Sequence, residues 1–199
     1  MGKIFGTDIW TGISAVLILV SAVFASFLAS LYAADRYKGN KRKTAIFFMS
    51  ISFFTALALL CFFGFSAITV KGIILSLVLV FSSYEDIKAR ECDDYLHLMI
   101  VIAALIGNEA SSIPYMLLSG VFAGGLMLLP VLLTKSTVGG ADIKMAAACS
   151  FLTGLNKGII GLLAGTVLAV AFNIFKKDKS KGFPMIPYLA VGYMAAYFI

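Results

Sequence analysis

The strongest constraint on the fold of this chain is its alternation of long apolar runs with short charged loops. A helix that crosses a bilayer needs about 20 mostly apolar residues. Only 13% of the 199 residues are charged, whereas soluble domains carry about a quarter. The pattern predicts an all-α, polytopic membrane protein of about eight transmembrane helices and no separate soluble domain. The apolar segments span residues 9–34, 44–66, 70–84, 95–107, 113–133, 142–154, 158–175 and 183–199.

The basic residues indicate how these helices are oriented. Thirteen of the 16 lie in alternate loops, and loops rich in Lys and Arg stay in the cytoplasm. We therefore expect a cytoplasmic-membrane protein with both termini outside, and we assign the net charge of +6 to topology, with no nucleic-acid partner. The cytoplasmic set comprises Arg36, Lys38, Lys41, Arg42, Lys43, Lys88, Arg90, Lys135, Lys144, Lys176, Lys177, Lys179 and Lys181, and the opposite set comprises Lys3, Lys71 and Lys157.

The acidic residues concentrate in two places on the expected cytoplasmic side. Five of the ten fall between positions 85 and 94, and Asp142 opens the sixth apolar segment directly after Gly139, Gly140 and Ala141. Carboxylates at membrane helix ends are costly unless they are paired or hydrated, so they are functional candidates. Taken singly, Asp86 is better explained as a solvated helix end, and Asp142 is explained equally well as an N-cap.

Two carboxylates brought close together indicate a specific chemistry. They cannot both ionise easily, so one keeps its proton while the other can take a proton from water. This division of roles is suited to peptide hydrolysis. His97 is the single histidine, so we expect no multi-histidine metal site, and neither a CxxC pair nor a nucleophilic Cys92 is indicated.

Three stretches resemble the type IV prepilin peptidase family, which includes the archaeal preflagellin peptidases. Residues 86–95, DIKARECDDY, are similar to a family motif that opens with a catalytic aspartate. Residues 139–147, GGADIKMAA, are similar to the GxGD motif that holds the second one. Residues 183–192, FPMIPYLAVG, are similar to the segment that opens the last helix. Two departures are the replacement of Ile-Pro by Cys92-Asp93 and of a glycine by Ala141.

The resemblance implies a GxGD-type membrane aspartyl protease with Asp86 and Asp142 as its catalytic pair and no metal or cofactor. Its substrate would be a prepilin-like protein (pilin, pseudopilin or archaellin) with a short basic leader. We divide the chain into an N-terminal two-helix segment, 1–69, and a six-helix peptidase core, 70–199. Residues 25–28, ASFL, resemble the first helix of bifunctional members, but the cysteine-containing insert is missing, so we expect no methyltransferase activity.

Further residues were assigned to substrate binding. The glycine loop of Gly139, Gly140 and Ala141 would admit an extended substrate backbone. An acidic rim would attract the basic leader, although a merely solvated loop explains the same charges. Lys88 and Lys144 would lower a carboxylate pKa or simply mark the interface. The rim consists of Glu85, Glu91, Asp93 and Asp94.

Two other classes of function compete with the protease. A transporter would place its acidic residues near the bilayer midplane, whereas here they lie at helix ends. An inactive scaffold of the same fold stays open because of the departures at Cys92, Asp93 and Ala141. The oligomeric state does not follow from the sequence.

Overall fold

A computed structural model describes residues 9–134, 139–175 and 183–199, and within these ranges the chain is helical and contains no strand. Eight α-helices are separated by short loops, with one 3-10 turn at Ala110–Ser112. The all-α prediction is confirmed. The helices are α1 (Ile9–Arg36), α2 (Lys41–Phe63), α3 (Ala67–Ala89), α4 (Asp94–Ala104), α5 (Ile113–Thr134), α6 (Gly140–Thr153), α7 (Leu155–Phe175) and α8 (Ile186–Tyr197).

Five of these helices are long and apolar enough to cross a membrane. The candidate spans are Thr11–Arg36, Lys41–Phe63, Ala67–Ala89, Ala110–Leu133 and Leu155–Ile174. Helices α4, α6 and α8 have only 11, 14 and 12 residues. At about 1.5 Å per residue they are shorter than a hydrocarbon layer of about 30 Å. The protein is therefore a multi-pass membrane protein, although eight full-length spans are not seen among the described helices.

The chain forms two compact units, and the first covers residues 1–81. Helix α2 begins at an N-cap, Asn40, whose side chain accepts a hydrogen bond from the backbone N–H of Lys43. Its buried face includes Ser52, whose hydroxyl donates to Ser26 Oγ of α1 at 2.8 Å. Large apolar side chains such as Leu17 cover the outer face of α1. This arrangement suits helices in lipid, where small polar side chains join neighbouring helices.

The second unit, residues 82–199, contains the end of α3 and helices α4 to α8. Helix α6 packs against α4, α5 and α7, and α7 packs closely on α8. Glycines permit this proximity: a Cβ on Gly192 of α8 would overlap backbone atoms of Gly161 and Gly165 of α7. The hydroxyl of buried Tyr193 donates to the Ala146 carbonyl at 3.0 Å and joins α8 to α6. The division at residues 69 and 70 into functional segments stays a prediction.

Candidate active site

Asp86 lies in the last turns of α3 and is almost fully buried, with 7% of its surface exposed. The helix ends soon afterwards because Arg90 adopts a left-handed backbone conformation, with φ of 60°. The Asp86 carboxylate faces inward, and its Oδ2 accepts a hydrogen bond from the backbone N–H of Ile186 at 3.0 Å. Asp86 is therefore not the freely solvated helix end that its sequence position alone permits.

The partner of Asp86 is the N-terminus of α8. Backbone N–H groups in the first turn of a helix lack intrahelical acceptors, and the helix dipole favours negative charge there. Pro187 stands in this first turn, where its missing N–H costs nothing. Met185 and Ile186 belong to the FPMIPYLAVG stretch, and their backbone contact with Asp86 was missed by the sequence analysis. The FPMIPYLAVG motif itself was recognised in the sequence, but it indicated only the start of a helix and not a contact with Asp86.

Asp142 lies in the first turn of α6, outside the five candidate spans. The N-cap of this helix is Gly139, so the interpretation of Asp142 as the N-cap residue is wrong. The Asp142 carboxylate instead folds back toward the cap residue, and a Cβ on Gly139 would lie 2.9 Å from Asp142 Oδ2. This return of a third-position acid to the cap backbone is half of a capping box.

The electrostatics of Asp142 connect it with Asp86. Burial and, to a lesser extent, the negative charge of Asp86 together raise the pKa of the Asp142 carboxyl to about 6, although the backbone N–H of Gly139 acts in the opposite direction. An aspartate in water has a pKa near 4. The structure thus brings the two predicted carboxylates into one electrostatic environment, in which Asp142 holds its proton into the mildly acidic range.

Gly139 and Gly140, directly ahead of Asp142, are both exposed. Among the described residues, no atom lies within 4 Å of the position of a Cβ on Gly140. Ala141 lies inside α6, where a residue needs no positive φ. The replacement of a glycine by Ala141 therefore imposes no backbone strain here.

The predicted acidic rim is only partly a surface feature. Glu91 and Asp94 are exposed and Asp93 is half-buried, but Glu85 is fully buried and cannot belong to an exposed rim. Its Oε2 accepts a hydrogen bond from the backbone N–H of Asp93 at 3.3 Å. Sequence position put Glu85 beside its charged neighbours, whereas the turn of α3 directs its side chain inward.

Asp93 occupies the place of the proline in the resembling motif. Its φ of −67° is the value at which a proline ring holds the backbone. A proline has no N–H, whereas the N–H of Asp93 is satisfied by Glu85. The conformation of this turn is therefore retained without proline. Neighbouring Cys92 has a pKa raised to about 12 by burial and by the charges of Glu85, Asp86 and Asp93, which agrees with the prediction that it is no nucleophile.

The two lysines of the motifs have different surroundings. Lys144 Nζ donates to Asp94 Oδ1 at 2.6 Å across the gap between α6 and α4. This contact lowers the pKa of the exposed Asp94 carboxyl. Lys88 is exposed and lies over the ring of Tyr84, with Nζ 5.8 Å from its centroid. The cation whose charge acts on the Asp86 carboxyl group is Arg90, which had been considered only as a marker of helix orientation.

Two further predictions concern a metal-free site and the topology of the loops. In the part of the chain that the structure describes, no three His, Cys, Asp or Glu side chains are grouped as a metal site requires. Several basic residues used for orientation lie outside the described residues. These are Lys3, Lys135, Lys176, Lys177, Lys179 and Lys181.

Comparison with known proteins gives one match. The model of the type IV leader peptidase family matches residues 73–174, slightly more than half of the chain. Asp86 and Asp142 both lie inside the matched region, whereas the stretch 183–192 lies beyond it. No curated protein and no solved structure matches. With the match to that family over the segment that carries both aspartates, the chain belongs to the type IV leader peptidase family.

Proposed function

We propose that this protein is a membrane aspartyl endopeptidase that removes the short basic leader from a type IV prepilin-like precursor. Membership of the family supports a leader-processing protease. The observation that carries the aspartyl mechanism is the raised pKa of Asp142, to which the charge of Asp86 contributes. Two carboxyl groups that share an environment in this way can hold one proton between them.

Each aspartate has a distinct role in this proposal. Asp142 is the acid, because it keeps a proton to about pH 6 and can donate it to the scissile carbonyl oxygen. Asp86 is the base, because the Ile186 N–H and the α8 N-terminus stabilise negative charge on it.

The hydrolysis then runs in two balanced steps. In the first, a water oxygen bonds to the carbonyl carbon, its proton passes to Asp86, and the proton of Asp142 passes to the carbonyl oxygen. In the second, the C–N bond breaks, the amine takes the proton from Asp86, and one diol hydroxyl returns its proton to Asp142. Both carboxyl groups end in their starting protonation states.

The substrate and its side of the membrane follow from charge. The exposed carboxylates of Glu91 and Asp94 lie near the site and would attract a basic leader. The open Gly139–Gly140 loop would admit an extended backbone. The distribution of basic residues over the loops supports a site at the cytoplasmic face of the cytoplasmic membrane, with both termini outside. The substrate is then a precursor whose leader remains in the cytoplasm.

The short first loop argues against a second activity. Helix α1 ends at Arg36 and α2 begins at Lys41, so only residues 37–40 lie between them. A cysteine-containing insert of the kind carried by bifunctional members has no room in this loop. We propose that the protein cleaves its substrate without methylating the new N-terminus.

Co-expression with candidate precursors tests the proposal. We expect the parent to remove the leader, measured by intact mass, while Asp86→Asn and Asp142→Asn leave it in place. The matched control is Glu109→Gln, which removes an exposed carboxylate from the loop between α4 and α5 and should retain cleavage. Leader removal by both dyad variants would overturn the assignment of the two residues. A folded parent that cleaves no pilin, pseudopilin or archaellin precursor would instead indicate an inactive scaffold.

A further inference from the structure

We propose that His97 is a positioning residue, which fixes the first turn of α6, and with it Asp142, through a hydrogen bond to the Ala141 carbonyl. This proposal rests on the proposed function, because it assigns the catalytic acid to Asp142. His97 itself touches neither reacting group. It acts on the residue that directly precedes Asp142, from a different helix.

The geometry identifies one donor and one acceptor. His97 is on α4 with 7% of its surface exposed, and its Nε2 lies 3.2 Å from the Ala141 carbonyl oxygen. A carbonyl oxygen can only accept, so Nε2 must carry the hydrogen. The contact therefore fixes the tautomer of the ring. It also joins α4 to the start of α6, beside the loop of Gly139 and Gly140.

The surroundings of the other ring nitrogen of His97, Nδ1, give separate support to this role. Nδ1 is buried and makes no hydrogen bond of good geometry within the described residues, and only the backbone of Asp94 lies close enough to act on it. Its nearest charged group is Asp94 Oδ1 at 3.9 Å, which itself pairs with Lys144 of α6. A ring chosen only for packing would not leave a buried nitrogen unsatisfied, because that costs free energy. The arrangement is explained if the Nε2 contact is what the site requires.

The surroundings of His97 disfavour a positive charge on its ring. Burial lowers the pKa of its imidazole, and the charge of Lys144 acts in the same direction, while Asp94 and the Ala141 carbonyl oppose them. A neutral ring keeps the single hydrogen on Nε2 and brings no extra cation to the dyad. Its contribution is therefore geometric.

The link from Ala141 to Asp142 is short and tightly constrained. Asp142 Oδ2 already lies so close to Gly139 that a Cβ there would approach it to 2.9 Å. A rotation of the Ala141 peptide would move the Asp142 carboxylate away from its position beside Gly139. Catalytic groups displaced by about 1 Å can lose about a hundredfold in rate.

The test compares His97→Leu with His97→Gln in a cleavage assay on purified protein. Glutamine places an N–H four bonds from Cα, as histidine Nε2 does, whereas leucine fills the space without a donor. We expect His97→Leu to lower kcat by about tenfold or more with KM nearly unchanged, and His97→Gln to stay within about threefold of the parent.

A second measurement does not depend on activity. Hydrogen exchange of the amides at the start of α6 should be faster in His97→Leu than in the parent, with α7 and α8 unaffected, and normal in His97→Gln. Parent-like kcat and exchange in His97→Leu would overturn the proposal, as would equal losses in both variants at equal folded fractions. A parent that cleaves nothing would refute the proposed function, while the exchange experiment would still decide whether His97 holds this turn.

Discussion

Asp86 Oδ2 accepts a hydrogen bond from the backbone N–H of Ile186 at 3.0 Å, across 100 residues of sequence. The contact places one carboxylate of the proposed dyad at the N-terminus of α8, where unpaired N–H groups and the helix dipole stabilise an anion. The last helix is thereby part of the site. This relationship gives a physical reason for the FPMIPYLAVG stretch, whose sequence alone indicated only the start of a helix.

The pH dependence of cleavage should report the proton on Asp142. Its pKa is raised to about 6, and the acid must be protonated to act. We expect kcat/KM to fall as pH rises above about 6, approaching tenfold per pH unit. Steady-state cleavage in detergent between pH 4.5 and 8.5 measures this limb. A rate that is constant from pH 5 to 8 would contradict the assignment of Asp142 as the acid.

The same carboxyl should make stability depend on pH. Its pKa is raised from 3.8 to about 6 in the folded protein, so the folded state holds the proton more tightly and is stabilised as pH falls through this window. Above pH 6 the ionised Asp142 carboxylate lowers the free energy of unfolding by at most about 3 kcal/mol. Asp142→Asn should therefore raise the unfolding temperature at pH 7.5, and the difference should vanish near pH 4. An equal effect at both pH values would exclude this linkage.

Gly139 and Gly140 form a matched pair of substitutions. A Cβ on Gly139 would lie 2.9 Å from Asp142 Oδ2, whereas no atom of the described residues lies within 4 Å of a Cβ on Gly140. The φ of Gly139 is −62°, which any residue can adopt, so its effect should be steric alone. We expect Gly139→Ala to lower kcat by about tenfold and Gly140→Ala to change it by less than about twofold. Cleavage kinetics measured on both variants test this prediction. Equal effects on kcat would contradict the importance of the position of the Asp142 carboxylate beside Gly139.

The close contact of α7 and α8 should depend on Gly192. A Cβ there would overlap the Gly161 carbonyl oxygen and the Gly165 backbone, whereas a Cβ on Gly125 meets nothing within 4 Å. Gly192→Ala should destabilise the protein by about 1 to 3 kcal/mol because the two helices must move apart. Gly125→Ala should be neutral or stabilising by up to about 1 kcal/mol. Thermal unfolding in micelles compares them, and identical midpoints would show that the helices are not held this closely.

Glu85 and Asp93 should behave as a coupled pair. Asp93 has a φ suited to proline, but its N–H bonds to the buried Glu85 carboxylate. We expect Asp93→Pro alone to destabilise the protein by removing that donor. With Glu85→Met also present, the same proline should cost less, giving a coupling of about 1 to 2 kcal/mol. A double-mutant cycle on unfolding midpoints measures it, and simple additivity would show that the hydrogen bond is unimportant.

Much of the architecture was predictable because membrane helices can be recognised in a sequence by the length and apolar composition of their segments. All eight apolar segments correspond to helices, and the membrane and family assignments are confirmed. The ends were less accurate. Helix α6 begins at Gly140, two residues before Asp142, and α8 begins at Ile186 rather than at residue 183. A cap is decided by backbone angles and local contacts, which residue type only biases.

The sequence by itself determined the class of protein, the positions of the apolar helices and the two aspartates as candidates, since these follow from apolar runs, charge and motif spacing. Only the tertiary structure decided which side chains are inside. Glu85 and Glu91 look alike in sequence, yet one is buried and the other exposed. In helices that are apolar on all sides, periodicity does not mark the inner face. The contacts of Asp86 with Ile186 and of His97 with Ala141 join separate helices, and distant backbone groups leave no trace in local pattern.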